Sequence, residues 1–298
     1  MTFGQSYQAD MARDSARSDH LTGGRIETAK LVPGGGALKI TVNVPSFQLT
    51  LWQDGKEIRT YPIGVGMKEF PVYIGRLKAS AIEWNPVWIP PSSDWIEASS
   101  KVKPGEIILP TDPRNPLGKV KIPLGYGYLI HQAKGATDLG GLVSHGCIRV
   151  MKGDLYDLSE KIAAASGLDV TAQQLAKVKT TKVTLRKEME DPIPIEITYD
   201  TIVVENGRLH IYPDVYERGK NTAANLRREL EVNGIDTTSI SEAELKRMLS
   251  RAKGRMQYVV SLDDVGDGKA LAGQIMPVVR PEGVPRSGAQ TTKAKRSR

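Results

Sequence analysis

The densest chemistry in the chain lies in Ser144-His145-Gly146-Cys147-Ile148-Arg149-Val150, which holds its only cysteine. Read as an extended segment, it projects His145, Cys147 and Arg149 from one face and sends Ile148 and Val150 to the core. The thiolate is the nucleophilic form of cysteine, and a nearby cation such as Arg149 or an imidazolium lowers a thiol pKa. Gly146 leaves room beside the sulfur and frees backbone N–H groups to hold an oxyanion. A cysteine nucleophile also needs a base. His131 stands upstream at the end of an expected strand, and Gly135, Gly140 and Gly141 lie between the two. A loop of that composition can return the chain so that both side chains meet.

Two plainer readings compete. A lone cysteine in a globular protein is commonly a buried, inert small hydrophobe; the polar company of Cys147 argues against that here. Alternatively, His131, His145 and Cys147 are three residues of types that can hold zinc. With no second thiol, and no carboxylate at short spacing, the sequence predicts no metal. A single cysteine also rules out an internal disulfide. Of the other histidines, His20 falls in a polar leader, and His210 alternates with Arg208 and Tyr212 as an exposed strand residue. Trp84, Trp88 and Trp95 are candidates for a groove, although packing is the commoner fate of tryptophan.

The elements that must position these groups are mostly strands. Leu38, Ile40, Val42 and Val44 alternate with polar residues, which is the period of a half-buried strand. Phe47–Trp52 leads through Asp54-Gly55 into Ile58–Val65, a hairpin pattern in which both turn residues need positive φ. Residues 70–125 are punctuated by Phe70-Pro71, Asn85-Pro86, Pro90-Pro91, Asp112-Pro113 and Asn115-Pro116-Leu117-Gly118. Short strands are expected between them at Glu106–Leu109 and Lys119–Leu124, and Tyr126–His131 delivers His131. After Arg149 the period changes: Leu155, Leu158 and Ile162 fall at helical spacing, with acidic residues in the first turn and Gly167 at the end.

Beyond Ala176, Ile195–Tyr199 and Thr201–Glu205 read as strands, and Asn206-Gly207 turns the chain into Arg208–Tyr212. Leu226 and Leu230 mark a helix, Ser241–Glu244 is a capping box opening another, and Tyr258–Leu262 is a last strand. The expected domains are a flexible leader (1–36), a catalytic domain (37–175), an accessory α+β domain (176–280) and a disordered basic tail (281–298).

With 298 residues, 40% hydrophobic and 25% charged, the chain is long enough to bury a real core. Its net charge of +7 is uneven. Arg286, Lys293, Lys295, Arg296 and Arg298 face one acidic residue, Glu282, in the tail, which suits attachment to anionic surfaces. No dedicated nucleic-acid domain is indicated. No run has the apolar length of a transmembrane helix. Met1–His20 lacks an apolar core, so no signal peptide is expected.

The stretch from His131 to Arg149 closely resembles the L,D-transpeptidase catalytic domain. That family carries a histidine, a loop, then Ser/Thr-His-Gly-Cys, an apolar residue and Arg or Asn. Here these are His131, Ser144, His145, Gly146, Cys147, Ile148 and Arg149. The resemblance extends over residues 38–175, through Asp54-Gly55-Lys56, Tyr61–Gly66, Asn85–Trp88, Asn115–Gly118 and Tyr128–His131, and more weakly into 193–221. Two departures fall near the expected groove. Gln132 stands where the family often has glycine, and Pro71-Val72-Tyr73-Ile74-Gly75 stands where Pro-Thr-Pro-Thr-Gly is usual.

The resemblance implies a mainly β fold, a sandwich of mixed sheets with a helix, followed by a small α+β C-terminal domain. It implies a peptidoglycan stem peptide as substrate, with Cys147 attacking an L-centre carbonyl and His131 as base. Ser144, His145, Gly146 and Arg149 would support the site and its oxyanion, while Tyr128, Trp88 and Gln132 would line the groove. No cofactor is implied, and the location would be the cell envelope or periplasm. Two alternatives stay open: a cysteine carboxypeptidase or amidase that uses water as acceptor, and a non-catalytic envelope-binding module.

Overall fold

A computed structural model describes residues 37–279. The leader (1–36) and the basic tail (281–298) read from the sequence lie outside the described residues.

The alternating segments form β1 (Leu38–Asn43), β2 (Gln48–Gln53), β3 (Lys56–Gly66), β4 (Gly75–Trp84), β5 (Val120–Gly125), β6 (Tyr128–Gln132), β7 (Leu142–Ser144) and β8 (Ile148–Val150). A late strand, β9 (Leu185–Thr198), joins them. The nine are hydrogen-bonded in the order β2-β1-β9-β4-β5-β6-β8-β3-β7, and a further β2–β3 pairing closes the circuit. Pairing is mixed: β1–β9, β6–β8 and β3–β7 are parallel, the others antiparallel. Inside the circuit lies one apolar core, with Ile40, Leu49, Tyr61, Ile82, Ile122, Ile130 and Ile148 all but fully buried. The fold is mainly β, as the sequence led us to expect.

Helices are few. After the short α1 (Asp94–Glu97) comes α2 (Lys152–Ala165), which lays Leu155, Leu158 and Ile162 over β5 and β6. It is followed by α3 (Ala172–Thr180), opened by a Thr171/Gln174 capping box. Residues 86–118, rich in proline, make a separate lobe with its own small core of Trp88, Ile96, Val102, Ile108 and Leu117. The strand expected at Glu106–Leu109 is reduced to a single bridge, Trp88 to Ile108. Tyr126 lies not in a strand but at positive φ in the Gly125–Gly127 turn that joins β5 to β6.

The C-terminal region carries β10 (Ile202–Glu205), β11 (Arg208–Ile211), α4 (Ala223–Val232), α5 (Glu242–Ser250), β12 (Met256–Ser261), α6 (Leu262–Gly266) and β13 (Gln274–Pro277). Its four strands form a second, antiparallel sheet in sequence order, and its core of Leu209, Ile211, Leu226, Leu230, Leu245 and Tyr258 is distinct. The large sheet also takes in a strand from beyond residue 175. All fourteen residues of β9 belong to the large sheet, pairing with β1 and β4. Pro192 and Pro194 break the apolar pattern within this strand and leave only its last third legible as strand.

Candidate active site

The site is built on two neighbouring parallel strands. Ile130 of β6 is in register with Ile148 of β8, and His131 with Arg149. Strand alternation therefore turns Ile130, Ile148 and Val150 into the core and His131 and Arg149 to the outer face. Cys147 stands one residue before β8, two before the Arg149 that pairs with His131, and its sulfur feels the Leu129 backbone and the Arg149 charge. Gly146 interrupts the extended run at φ +103°, and a Cβ there would come within 2.9 Å of the Tyr128 ring. The segment is thus a strand, a turn at His145-Gly146 and a second strand. The turn is locked from inside by Ser144, which is buried and donates its hydroxyl to the Cys147 carbonyl at 2.5 Å. Among the described turn and loop bonds, none is donated by the N–H groups of His145, Gly146 or Cys147.

Across the sheet the register continues the polar row from Arg149 and His131 to Lys121 of β5, Glu83 of β4 and Arg186 of β9. Glu83 is buried and binds Lys121 at 3.1 Å and Arg186 at 3.0 Å. It also accepts the N–H of Val87, the first turn of the proline-rich lobe. That lobe covers the outer face beside the site, and Leu129 packs against its core.

Arg149 is almost fully buried and paired with the equally buried Asp138 at 3.0 Å. Asp138 sits in a 3-10 turn (Ala136–Asp138) between the candidate base and the cysteine, and it also accepts the Lys134 N–H. No hydrogen bond joins His131 to Cys147 among the described residues, and His131 Nδ1 is buried without a partner. Burial pushes the His131 pKa down to about 4; Arg149 adds to the fall, while the Gln132 backbone and Asp138 oppose it. Burial pushes the Cys147 thiol up to about 11 against the opposing pull of the Leu129 backbone and Arg149. The expected lowering by Arg149 is present but loses to desolvation. Both shifts favour the neutral forms, an imidazole at His131 and a thiol at Cys147.

This gives a first expected result. Between pH 5 and 8 alkylation of Cys147 by iodoacetamide should be slow, and it should rise about tenfold per pH unit on the alkaline side. A fast, pH-independent rate across that range would show a preformed thiolate–imidazolium pair instead.

The remaining candidates separate. His145 is exposed on the rim, stacked on Trp95 at 4.3 Å between ring centroids and flanked by Phe70 at 4.8 Å. Tyr128, on the core-side parity, is half-buried against Gly146 and lies 6.3 Å from Tyr73. Trp88 is buried in the core of the lobe. The Gln132 side chain accepts the Lys119 N–H and packs under Gly118, which fixes the lobe's return to β5. Trp84 is fully buried and donates to Ser159. Of the three tryptophans Trp95 is the one that reaches the histidine, and the sequence offered only its neighbourhood to prolines as a hint. Asp138 and Phe70 were not visible as site residues. His210 is half-buried, bonded to Gln257 and stacked on Tyr212. Among the described residues no group of three His, Cys, Asp or Glu is placed to hold a metal ion.

Comparison with known proteins agrees on the family. The model of the L,D-transpeptidase catalytic domain matches residues 38–188. The chain is 29% identical to the probable L,D-transpeptidase YbiS of Escherichia coli over 41% of this chain and 41% of that protein. It is also 29% identical to the probable L,D-transpeptidase ErfK/SrfK of Salmonella typhimurium, over 44% and 43%. Each match thus spans less than half of the relative's length. A solved L,D-transpeptidase from Mycobacterium smegmatis aligns at 18% identity over 55% of this chain and 59% of that one, with a TM-score of 0.35.

Proposed function

The chain belongs to the L,D-transpeptidase catalytic domain family, and from that premise we propose that it transfers the acyl group of a peptidoglycan stem peptide through a thioester on Cys147. What supports this reading is the pairing of His131 with Arg149, two residues past Cys147, together with turn N–H groups that no described turn or loop bond uses.

In the proposed reaction the neutral His131 takes the thiol proton as sulfur attacks the carbonyl of the third-position diamino acid, an L-centre. The same proton then goes to the leaving amine of the terminal D-alanine. A neutral pair is the competent starting state for this general-base route, since a permanently protonated His131 could accept nothing. The N–H groups at Gly146 and Cys147 are the proposed oxyanion donors, held in position by the bond from Ser144 to the Cys147 carbonyl. Arg149 and His145 shape and polarise the site. An amine from a second stem, or another amine acceptor, resolves the thioester and regenerates the thiol. No metal or organic cofactor takes part, and the reaction would be performed in the cell envelope. No helix among the described residues is long and apolar enough to cross a membrane.

The test is product analysis. Tetrapeptide stems alone should lose D-alanine, and a second stem should divert the acyl group into 3→3 links. Pentapeptide stems should be poor donors, because displacing the reacting carbonyl by about 1 Å can cost ~100-fold in rate. Exclusive hydrolysis with a second stem present would reassign the chain as a carboxypeptidase. Absence of any turnover, together with tight binding to wall fragments, would favour the non-catalytic module.

A further inference from the structure

The C-terminal region touches the site through one side chain in particular. Residues 66–72, between β3 and β4, form a loop packed on the turn before Cys147. The Met67 N–H donates to the Ser144 carbonyl at 2.8 Å. A Cβ on Gly66 would stand 3.0 Å from the Gly146 Cα and overlap the Phe70 carbonyl oxygen. From this loop Phe70 presses on His145. Tyr216, far along the chain, closes the loop's two ends: its hydroxyl donates to the Gly66 carbonyl at 2.9 Å and accepts the Val72 N–H at 3.2 Å.

Tyr216 is itself held rigidly. Its N–H donates to the Tyr199 hydroxyl at 2.7 Å, and the two rings stack with centroids 5.6 Å apart. The Arg218 guanidinium lies over both rings, and Asp214 accepts the Tyr199 hydroxyl and the N–H groups of Arg218 and Lys220. Such a bonded and stacked set has little freedom to give way, which suits a part that fixes the position of another. On the other side of the site Arg255 reaches the carbonyls of Leu139 and Thr137 at 3.5 and 3.3 Å, beside Asp138. The exposed Lys68–Glu217 ion pair adds a weak tie between loop and C-terminal region.

We propose that Tyr216 is a positioning residue for the candidate active site. By clamping Gly66 to Val72 it holds Phe70 against His145 and the loop against the turn before Cys147. The consequence for catalysis rests on the acyl-transfer reading; the clamp itself does not.

The test compares full-length wild type, Tyr216→Phe and a control, Arg251→Ala. Tyr216→Phe keeps the stacked ring and removes both loop bonds. Arg251 contacts Leu271 and Tyr258 within the C-terminal region, so its loss weakens that region without touching the loop. Two readouts are taken: the NMR resonances of the His145 ring, which the Trp95 and Phe70 rings shift, and D-alanine release from a tetrapeptide. Tyr216→Phe should remain folded, move the His145 resonances towards those of a histidine without aromatic neighbours and lower kcat/KM at least tenfold. Arg251→Ala should alter neither. Unmoved His145 resonances in folded Tyr216→Phe would overturn the clamp. Moved resonances with unchanged donor turnover would overturn its role in the reaction. If wild type releases no D-alanine the acyl-transfer reading fails separately, and the His145 resonances still decide the clamp.

Discussion

Cys147→Ser is expected to stop D-alanine release from tetrapeptide stems, with a fall of about 10⁴–10⁶-fold, the scale seen when one member of a catalytic unit is removed. Serine nearly preserves the volume, and the Ser144 bond to the residue 147 carbonyl does not involve the side chain. The fold should therefore survive. A hydroxyl at its ordinary pKa is a far poorer nucleophile than a thiol, and a buried imidazole as weakly basic as His131 cannot compensate. His131→Ala should cost about 10²–10⁴-fold. The double variant should be no worse than Cys147→Ser, since the two act as one unit. Substantial turnover by either single variant, in a release assay, would remove that residue from the mechanism.

Asp138→Ala should have the largest effect on stability. It leaves the Arg149 guanidinium buried, with its one described ion-pair partner gone and its Nε already unpartnered. Breaking such a pair from one side costs about 3–5 kcal/mol, a large fraction of the total stability of an ordinary domain. Replacing both partners, Asp138→Ala with Arg149→Met, should recover most of the loss, because the uncompensated charge is then absent. Denaturant unfolding of the two singles and the double closes the cycle. A single variant within 1 kcal/mol of wild type would mean that Arg149 finds water or another acceptor. Acid should act in the same direction on the candidate base. His131 has a folded pKa below its unfolded value, so its contribution to stability is present at neutral pH. That contribution is lost as pH falls from about 6.5 towards 4.

The candidate site was legible where it is local. Cys147 and the strand bearing His131 lie within one short stretch, and alternation alone assigned Ile148 and Val150 to the core. The partners that set the electrostatics were not. Asp138 is separated from Arg149 by a loop whose path depends on packing, so nothing in the spacing announces the pair. Trp88 and Trp95 are equivalent by sequence, yet one bears the Ile108 bridge and the other faces His145, a choice made by the lobe's tertiary fold. The sign of the Cys147 shift was also beyond the sequence, since it depends on burial that only the assembled lobe and sheet provide. β9 and Tyr216 come late in the chain and return to the large sheet and the 66–72 loop, and long-range pairing of this kind has no local signature. By contrast, Asp54-Gly55 and Asn206-Gly207 made turns from residues that tolerate positive φ.

The proposed thioester on Cys147 is tested most directly by intact-mass analysis of the protein after brief exposure to a tetrapeptide stem without an acceptor. The expected result is an adduct equal to the donor less D-alanine, removed by an added amine, absent from Cys147→Ser and formed far more slowly by His131→Ala. No adduct on a folded wild-type protein that releases D-alanine, or an adduct of the same mass on Cys147→Ser, would contradict it.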